Sequence, residues 1–502
     1  MYDLQNSILI LASLAYALKY IYRLYFHPLA GFPGPFFAKI SPLYSAYHAW
    51  KGDIHIDIFK AHEKYGMNQT SGPSIRYAPN RILFNTTAAA SDIYGHRKNV
   101  TKSTAYESLV HRSPNTFTMR DTKEHSKRRR IIGQCLSETN VRAFEPIILS
   151  QAEKLCAYLL QSREFEWSPV LDMSKWCDYH TFDMMSNIIF SADYNTLENN
   201  EYKDIMTSIA QSNVRMSVLF QARKVKNFRL DKYFFPQAIA ARSIFVKFVV
   251  KMIKDRSLKA DYPDVFSRLL NSVDPATQER LSASQIAAEA TTLIVAGSDT
   301  TATALAATFF YLSRNKEAYT QAVKEVRSVF TSKEDIQGGA KLNSCVYLRA
   351  CITEALRMSP PAGSPPWREV QKGGAMIDGK FIPQGCDVGI GTYSIQHQAQ
   401  YYPEPFIYKP ERWFANSSIS DVFNRSFLAF STGPRGCVGK SLALLELNLT
   451  MASLLWDLDF ERGLGEVSSG FSCHPDEFMM RDHITAAHEG PYLRFKRRQM
   501  QV

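Results

Sequence analysis

The stretch "FSTGPRGCVG", Phe430 to Gly439, holds a single cysteine, Cys437, with glycines at 433, 436 and 439 and Arg435 two residues before the thiol. An apolar run from Val438 onward reads as a helix. Its dipole and its first free N–H groups would face the sulfur, lower its pKa and favour the thiolate. The glycines remove side chains and permit unusual backbone angles. These are the conditions for an axial thiolate ligand to haem iron, with Arg435 placed to meet a haem propionate. The plain alternative is a buried free cysteine beside a turn.

A second group lies in "AGSDTT", Ala296 to Thr301, inside a long apolar stretch. Glycine inside a helix costs about 1 kcal/mol relative to alanine, and a buried acid costs more unless paired. Beside a cofactor, Asp299 and Thr300 would deliver protons, with the helix opened locally at Gly297 to admit water. Alternatives are a threonine-rich packing helix or a membrane span, against which Glu289 and Asp299 argue. A third group is Glu354 and Arg357, three residues apart and able to pair on one helix face. Arg412 can join them through a bidentate contact. The run "HSKRRR", His125 to Arg130, reads at its plainest as a solvated basic face.

Helical periodicity places these groups on named elements. It marks 140–162, 176–191, 236–256, 283–313, 315–330, 344–358 and 438–457. Ser282 and Gln285 form an S-x-x-Q capping box for the central segment, which spans roughly 45 Å at 1.5 Å per residue. Two extended pieces interrupt the helices: Ser74 to Asn85, and Ala375 to Tyr393 with Asp378-Gly379 as its turn. No repeat or Gly/Ser linker divides residues 40–502, which read as one domain, mainly α with small β-sheets (α+β).

The 502 residues are 45% hydrophobic and 21% charged, a globular and not a disordered balance. The formal charge of +11 suits nucleic acid, an anionic membrane or an acidic protein partner and does not choose among them. Eight cysteines without Cys-x-x-Cys or zinc-finger spacing point to a reducing compartment. Residues 1–26 read as a transmembrane anchor: no charge falls between Leu4 and Leu18, and Lys19 and Arg23 can snorkel. Those basic residues would keep the remainder cytosolic. A cleaved signal peptide and an interfacial helix are the rivals; the first lacks a basic n-region. Residues 27–39, with Pro28, Pro33 and Pro35, form a proline-rich hinge.

"FSTGPRGCVG" resembles the F-x-x-G-x-R-x-C-x-G haem-binding signature of the cytochromes P450 at every fixed position. "AGSDTT" is similar to that family's oxygen-activation motif, "EALR" at 354–357 to its E-x-x-R, and "PERW" at 410–413 to its P-E-R-F region with Trp for Phe. The resemblance covers about 40–495 and adds an anchor and hinge like those of microsomal members. Its wording is most similar to filamentous-fungal members.

The resemblance implies a cytochrome P450 fold and haem b held by Cys437, with Phe430, Gly433 and Gly439 shaping the loop and Ala296 against the haem. Arg435, Arg368, His125 and Arg129 are the implied propionate partners. His125 stands where the family usually has Trp, which puts that position in doubt. Asp299 and Thr300 are the implied catalytic pair, and Glu354, Arg357 and Arg412 a structural triad. Lys127, Arg128, Arg130 and Lys440 would make a basic face for an acidic reductase. Electrons are expected from NADPH through a separate cytochrome P450 reductase, with cytochrome b5 as a second donor. This chain has no flavin or nicotinamide fingerprint. The expected setting is the endoplasmic reticulum membrane, single-pass, with a cytosolic monomeric catalytic unit.

For the substrate wall the resemblance suggests Tyr106, Phe117, Val295, Ala362, Gly363, Phe478 and Met479. Small Ala362 and Gly363 would leave room for a bulky aromatic or polycyclic molecule. Tailoring hydroxylation in fungal secondary metabolism is the expected reaction. Oxidative phenol or indole coupling and aromatic-acid hydroxylation are the alternatives. From other classes, a tethered haem-binding protein without turnover is disfavoured by the intact Asp299-Thr300. A nucleic-acid binder would have only "HSKRRR" and "RFKRR" for charge.

Overall fold

Apolar periodicity folds as helices near the expected bounds in the computed structural model, which describes residues 2–66, 72–161, 166–259, 262–414, 417–463 and 470–499. The helices include Glu145–Leu160, Met173–Phe190, Pro236–Ser257, Lys316–Val329, Val346–Met358 and Lys440–Asp457. The central one, Ala283–Arg314, carries the complete capping box: Gln285 N–H donates to Ser282 Oγ, and Ser282 N–H donates to Gln285 Oε1.

This central helix is unbroken, so the expected opening at Gly297 is absent. The glycine serves packing. A Cβ there would lie 2.3 Å from Cε of Met185, on the neighbouring helix Met173–Phe190. The helix is 67% buried over its apolar window, which makes it the core of the molecule and not a membrane span. Leu305 and Phe309 of this helix, Ile188 of the neighbour and Leu449 and Leu455 of Lys440–Asp457 share one hydrophobic cluster. One long helix, Lys203–Gln221, escapes the periodicity reading. Its buried face carries Ser208, Ser212, Asn213, Ser217 and Gln221, so hydrophobicity alone does not mark it.

Both expected hairpins form. Ser74–Ala78 pairs antiparallel with Arg81–Phe84, and Ala375–Ile377 with Lys380–Ile382. Asp378 and Gly379 between the latter strands have φ of 48° and 72°, as a two-residue primed turn requires. The first hairpin belongs to a five-stranded sheet that continues through Asp387–Ile390, Arg368–Val370 and Val100–Lys102. A C-terminal hairpin, Met480–His483 with Thr485–His488, reaches back to the central helix.

Tyr2–Ile21 is a helix, and Gln5–Phe26 is a 22-residue stretch with mean hydropathy 1.3 and no burial against the body. It is a candidate anchor by length and composition. The hinge behind it is pinned. The Arg76 N–H donates to the Pro33 carbonyl at 2.7 Å, and the Arg76 guanidinium donates to Arg23 O at 2.7 Å. Gly34, at φ 155°, sits where a Cβ would be 2.3 Å from the Arg76 carbonyl oxygen.

Candidate active site

Cys437 lies in a tight loop. Its N–H donates to the Phe430 carbonyl at 2.8 Å, and the Gly436 N–H donates to Gly433 O at 3.0 Å. Gly433 has φ 69°, and a Cβ there would stand 1.9 Å from the Tyr94 carbonyl oxygen, so only glycine fits. The following helix starts at Lys440, two residues later than expected, with Gly439 as N-cap. The cysteine carries open surface, yet burial pushes its thiol up; the N–H groups of Gly439 and Lys440 and the charges of Arg129 and Lys440 pull the other way. The expected lowering by the helix end is therefore outweighed in the chain on its own.

Around this loop gathers a group of buried cations. Lys102 and Arg368 are directly opposite on adjacent antiparallel strands, and both are buried. Like charges in that position repel. Burial, then the neighbouring Arg368 and Arg435, hold Lys102 well below its ordinary pKa. Burial and Arg368 bring Arg435 down to about 10. Burial and the surrounding cations push His125 down to about 3. Arg435 donates to the carbonyls of Met119 and Arg120, and Arg129 to that of Gly436. Among the described residues, no carboxylate forms an ion pair with Lys102, Arg129, Arg368 or Arg435.

Ala296 is exposed although it lies mid-way along the buried helix, and Ala362 is exposed between buried Pro361 and Gly363. Thr300 Oγ1 donates to the Ala296 carbonyl at 2.6 Å. Asp299 points elsewhere: its Oδ2 accepts from Thr485 Oγ1 at 3.1 Å. Burial pushes its carboxyl up to about 6, with hydrogen bonds from Thr485 and Asn213 opposing.

Behind the loop, Arg357 donates twice to Glu354 at 2.9 Å, and Arg412 Nε donates to Glu354 Oε1 at 2.8 Å. Trp413 Nε1 adds a fourth contact at 3.0 Å, which sequence reading missed. Burial pushes Glu354 up, but the two arginines reverse this and hold its carboxyl below its ordinary value.

The cytochrome P450 family model matches residues 39–471. The chain belongs to the cytochrome P450 family. It is 47% identical over 483 residues to cytochrome P450 monooxygenase poxM of Penicillium oxalicum, covering 95% of this chain and 92% of that protein. It is 42% identical over 503 residues to cytochrome P450 monooxygenase atnE of Emericella nidulans, covering 97% and 95%. The crystal structure of the cytochrome P450DA heme domain shares the fold at TM-score 0.74 and 18% identity, covering 93% of this chain and 98% of that one. The protein is thus a cytochrome P450 monooxygenase, an oxidoreductase.

The family implies haem with a thiolate iron ligand, and the chain's own residues fit it. A thiol with open surface sits under two backbone donors, a helical alanine is bare in mid-core, and buried cations lack the carboxylates that two propionates would supply. Lys102 is the propionate candidate that sequence reading missed; only the strand register, which sets it opposite Arg368, reveals it.

The residues expected at the substrate wall have the following surroundings. Tyr106 is buried and hydrogen-bonds Arg368. A side chain at Gly363 would meet His55 at 2.9 Å and Asp482 at 3.1 Å, so its smallness serves that packing. Phe478 is buried against Phe310. Phe117 is 45% exposed, while Val295 and Met479 are partly buried. The basic run is spent on internal pairs: Lys127 with Glu279, Arg128 with buried Glu289, and Arg130 with Asp274. Of the cations expected to face a reductase, Arg130 and Lys440 are exposed. In "RFKRR", Arg494 pairs with Glu461 and Arg498 stacks over Trp456 at 3.7 Å.

Proposed function

We propose that this cytochrome P450 hydroxylates a bulky aromatic or polycyclic metabolite in fungal secondary metabolism, at an endoplasmic reticulum membrane, with NADPH electrons from a separate reductase. The reading is supported by the exposed Cys437 thiol in its tight loop, by cations around it that no described carboxylate pairs, and by an exposed Ala296 one turn from Thr300 on the central helix. Haem b, once bound, supplies the redox chemistry of dioxygen activation. Cys437 gives it a sulfur ligand under the Gly439 and Lys440 N–H groups. Lys102, Arg368 and Arg435 neutralise its carboxylates, helped by Arg129 and by His125 as a neutral donor.

Thr300 sits one turn from exposed Ala296, and its hydroxyl, held on the Ala296 carbonyl, is free to rotate to a proton acceptor. Asp299 exchanges a proton near neutrality because its carboxyl titrates at about 6. Exposed Phe117 and Ala362 and partly buried Val295 would each present apolar surface to an aromatic ring. Full-length chain in microsomes with a reductase and NADPH is incubated under heavy-oxygen dioxygen with phenolic, indole and polycyclic probes. A product carrying one labelled oxygen supports hydroxylation. An unlabelled coupled product replaces it with oxidative coupling, and no oxidation of any probe overturns the substrate class.

A further inference from the structure

Asp299 turns its carboxylate away from Thr300, into a chamber of about 90 Å³ on the far side of the central helix. The chamber lies between the central helix, helices Met173–Phe190 and Lys203–Gln221, and the C-terminal hairpin. Its polar lining includes Asp178, Asn213, Asp299, His483, Thr485 and His488. It is polar and roomy enough to hold ordered water. One wall is a directed relay: Asn213 Nδ2 donates to Thr485 Oγ1 at 2.9 Å, which donates to Asp299 Oδ2.

The facing wall is the opposite case. The half-buried Asp178 carboxylate makes no hydrogen bond or ion pair among the described residues, and His488 Nε2 is buried without a partner. Two acids facing one small polar space, one held by hydroxyl and amide and one unheld, are separated in role by their environments. Water bridging these groups would satisfy them.

The geometry points to Asp178 as a second acid that reloads Asp299 with protons through water in this chamber, with Asn213 and Thr485 fixing the orientation of Asp299. The inference rests on the proposed proton role of Asp299. The balance is simple. Asp178 gives its proton to chamber water, the water gives one to Asp299, and Asp178 takes one from solvent. Net, one proton moves from solvent to Asp299, and no electron moves. Burial, then Asp299 and then Asp172 raise the Asp178 carboxyl well above its ordinary value, so it holds a proton where an exposed aspartate would not. The other titratable groups facing the space are histidines of the hairpin. Burial keeps His488 at about 4 and holds His483 below its ordinary value, so neither adds charge at neutral pH. Helix Lys203–Gln221 contributes Met206, Ala210 and Asn213 and no charge.

The test is infrared difference titration of the carboxylic-acid band in the purified full-length holoenzyme, compared with Asp178→Asn, Asp299→Asn and Asp178→Glu. Two buried-acid signals are expected. Asp178→Asn should remove one of them, and Asp299→Asn should shift the Asp178 signal down because a neighbouring acid is gone. With any probe the enzyme oxidises, Asp178→Asn should lower product per NADPH several-fold and steepen the loss with rising pH, and Asp178→Glu should restore both. If Asp299→Asn uncouples turnover while Asp178→Asn changes neither band nor pH profile, the inference fails and the Asp299 reading stands. If Asp299→Asn itself leaves turnover coupled, the underlying reading fails. Thr485→Val, which keeps size and loses the hydroxyl, should alter the Asp299 band alone; an unchanged band contradicts the relay.

Discussion

At the scale of single residues, the loop depends on two positions that tolerate no exchange. Gly433→Ala would drive a methyl into the Tyr94 carbonyl oxygen at 1.9 Å with φ at 69°. The loop must move, so the variant is expected to lose haem and to melt earlier; a normal haem content would contradict the close approach. Cys437→Ser removes the sulfur, and the thiolate-type absorption of the reduced carbon monoxide complex should vanish with it. Asp299 gives a pH prediction with a definite sign. Its folded pKa, about 6, lies above its ordinary value of 3.8, so the protonated fraction falls as pH rises through about 6. Product per NADPH should fall in the same direction, and a flat profile in that window would contradict the assignment.

At the scale of elements, the buried triad ties three segments of chain that the sequence separates. Glu354 and Arg357 share the helix Val346–Met358, and Arg412 and Trp413 arrive on a short 3-10 turn at Pro410–Phe414. Arg357 also donates to the Gln396 and Pro405 carbonyls at 2.8 Å. Removing one partner leaves an uncompensated buried charge, so Arg357→Ala should cost about 3–5 kcal/mol in denaturant unfolding. Trp413→Phe removes one hydrogen bond to a charged group and should cost about 1.5–3 kcal/mol. Equal stability of both variants to the parent would contradict a buried, coupled triad. The pairing of Glu354 with Arg357 was legible from a three-residue spacing, and so were the capped central helix and both hairpins. The Lys102–Arg368 apposition was not, because it arises from strand register between segments over 260 residues apart in the chain. The helix Lys203–Gln221 and the packing roles of Tyr106, Gly363 and Phe478 were hidden for a related reason: partner, not residue type, decides them.

At the scale of the whole molecule, the body is oriented against its N-terminal helix by a buried arginine. Arg76 is fully buried and donates to Arg23 O and, twice, to Pro79 O. Deleting residues 2–21 should release the protein from membranes with its melting temperature unchanged. Deleting residues 2–26 also removes the Arg23 carbonyl and should cost about 1–3 kcal/mol. A shortened chain that still sediments with membranes would contradict the anchor. Lys127, Arg128 and Arg130 each pair with a carboxylate inside the chain, so the net charge of +11 resides on other cations. Among the described residues, the cations Lys102, Arg129, Arg368 and Arg435 around Cys437 have no carboxylate partner. The most direct test is the carbon monoxide difference spectrum of the dithionite-reduced full-length chain in microsomes. The account predicts the strongly red-shifted Soret band of thiolate-ligated haem, lost in Cys437→Ser. A histidine-type Soret band from folded protein, or folded protein without haem, would contradict it.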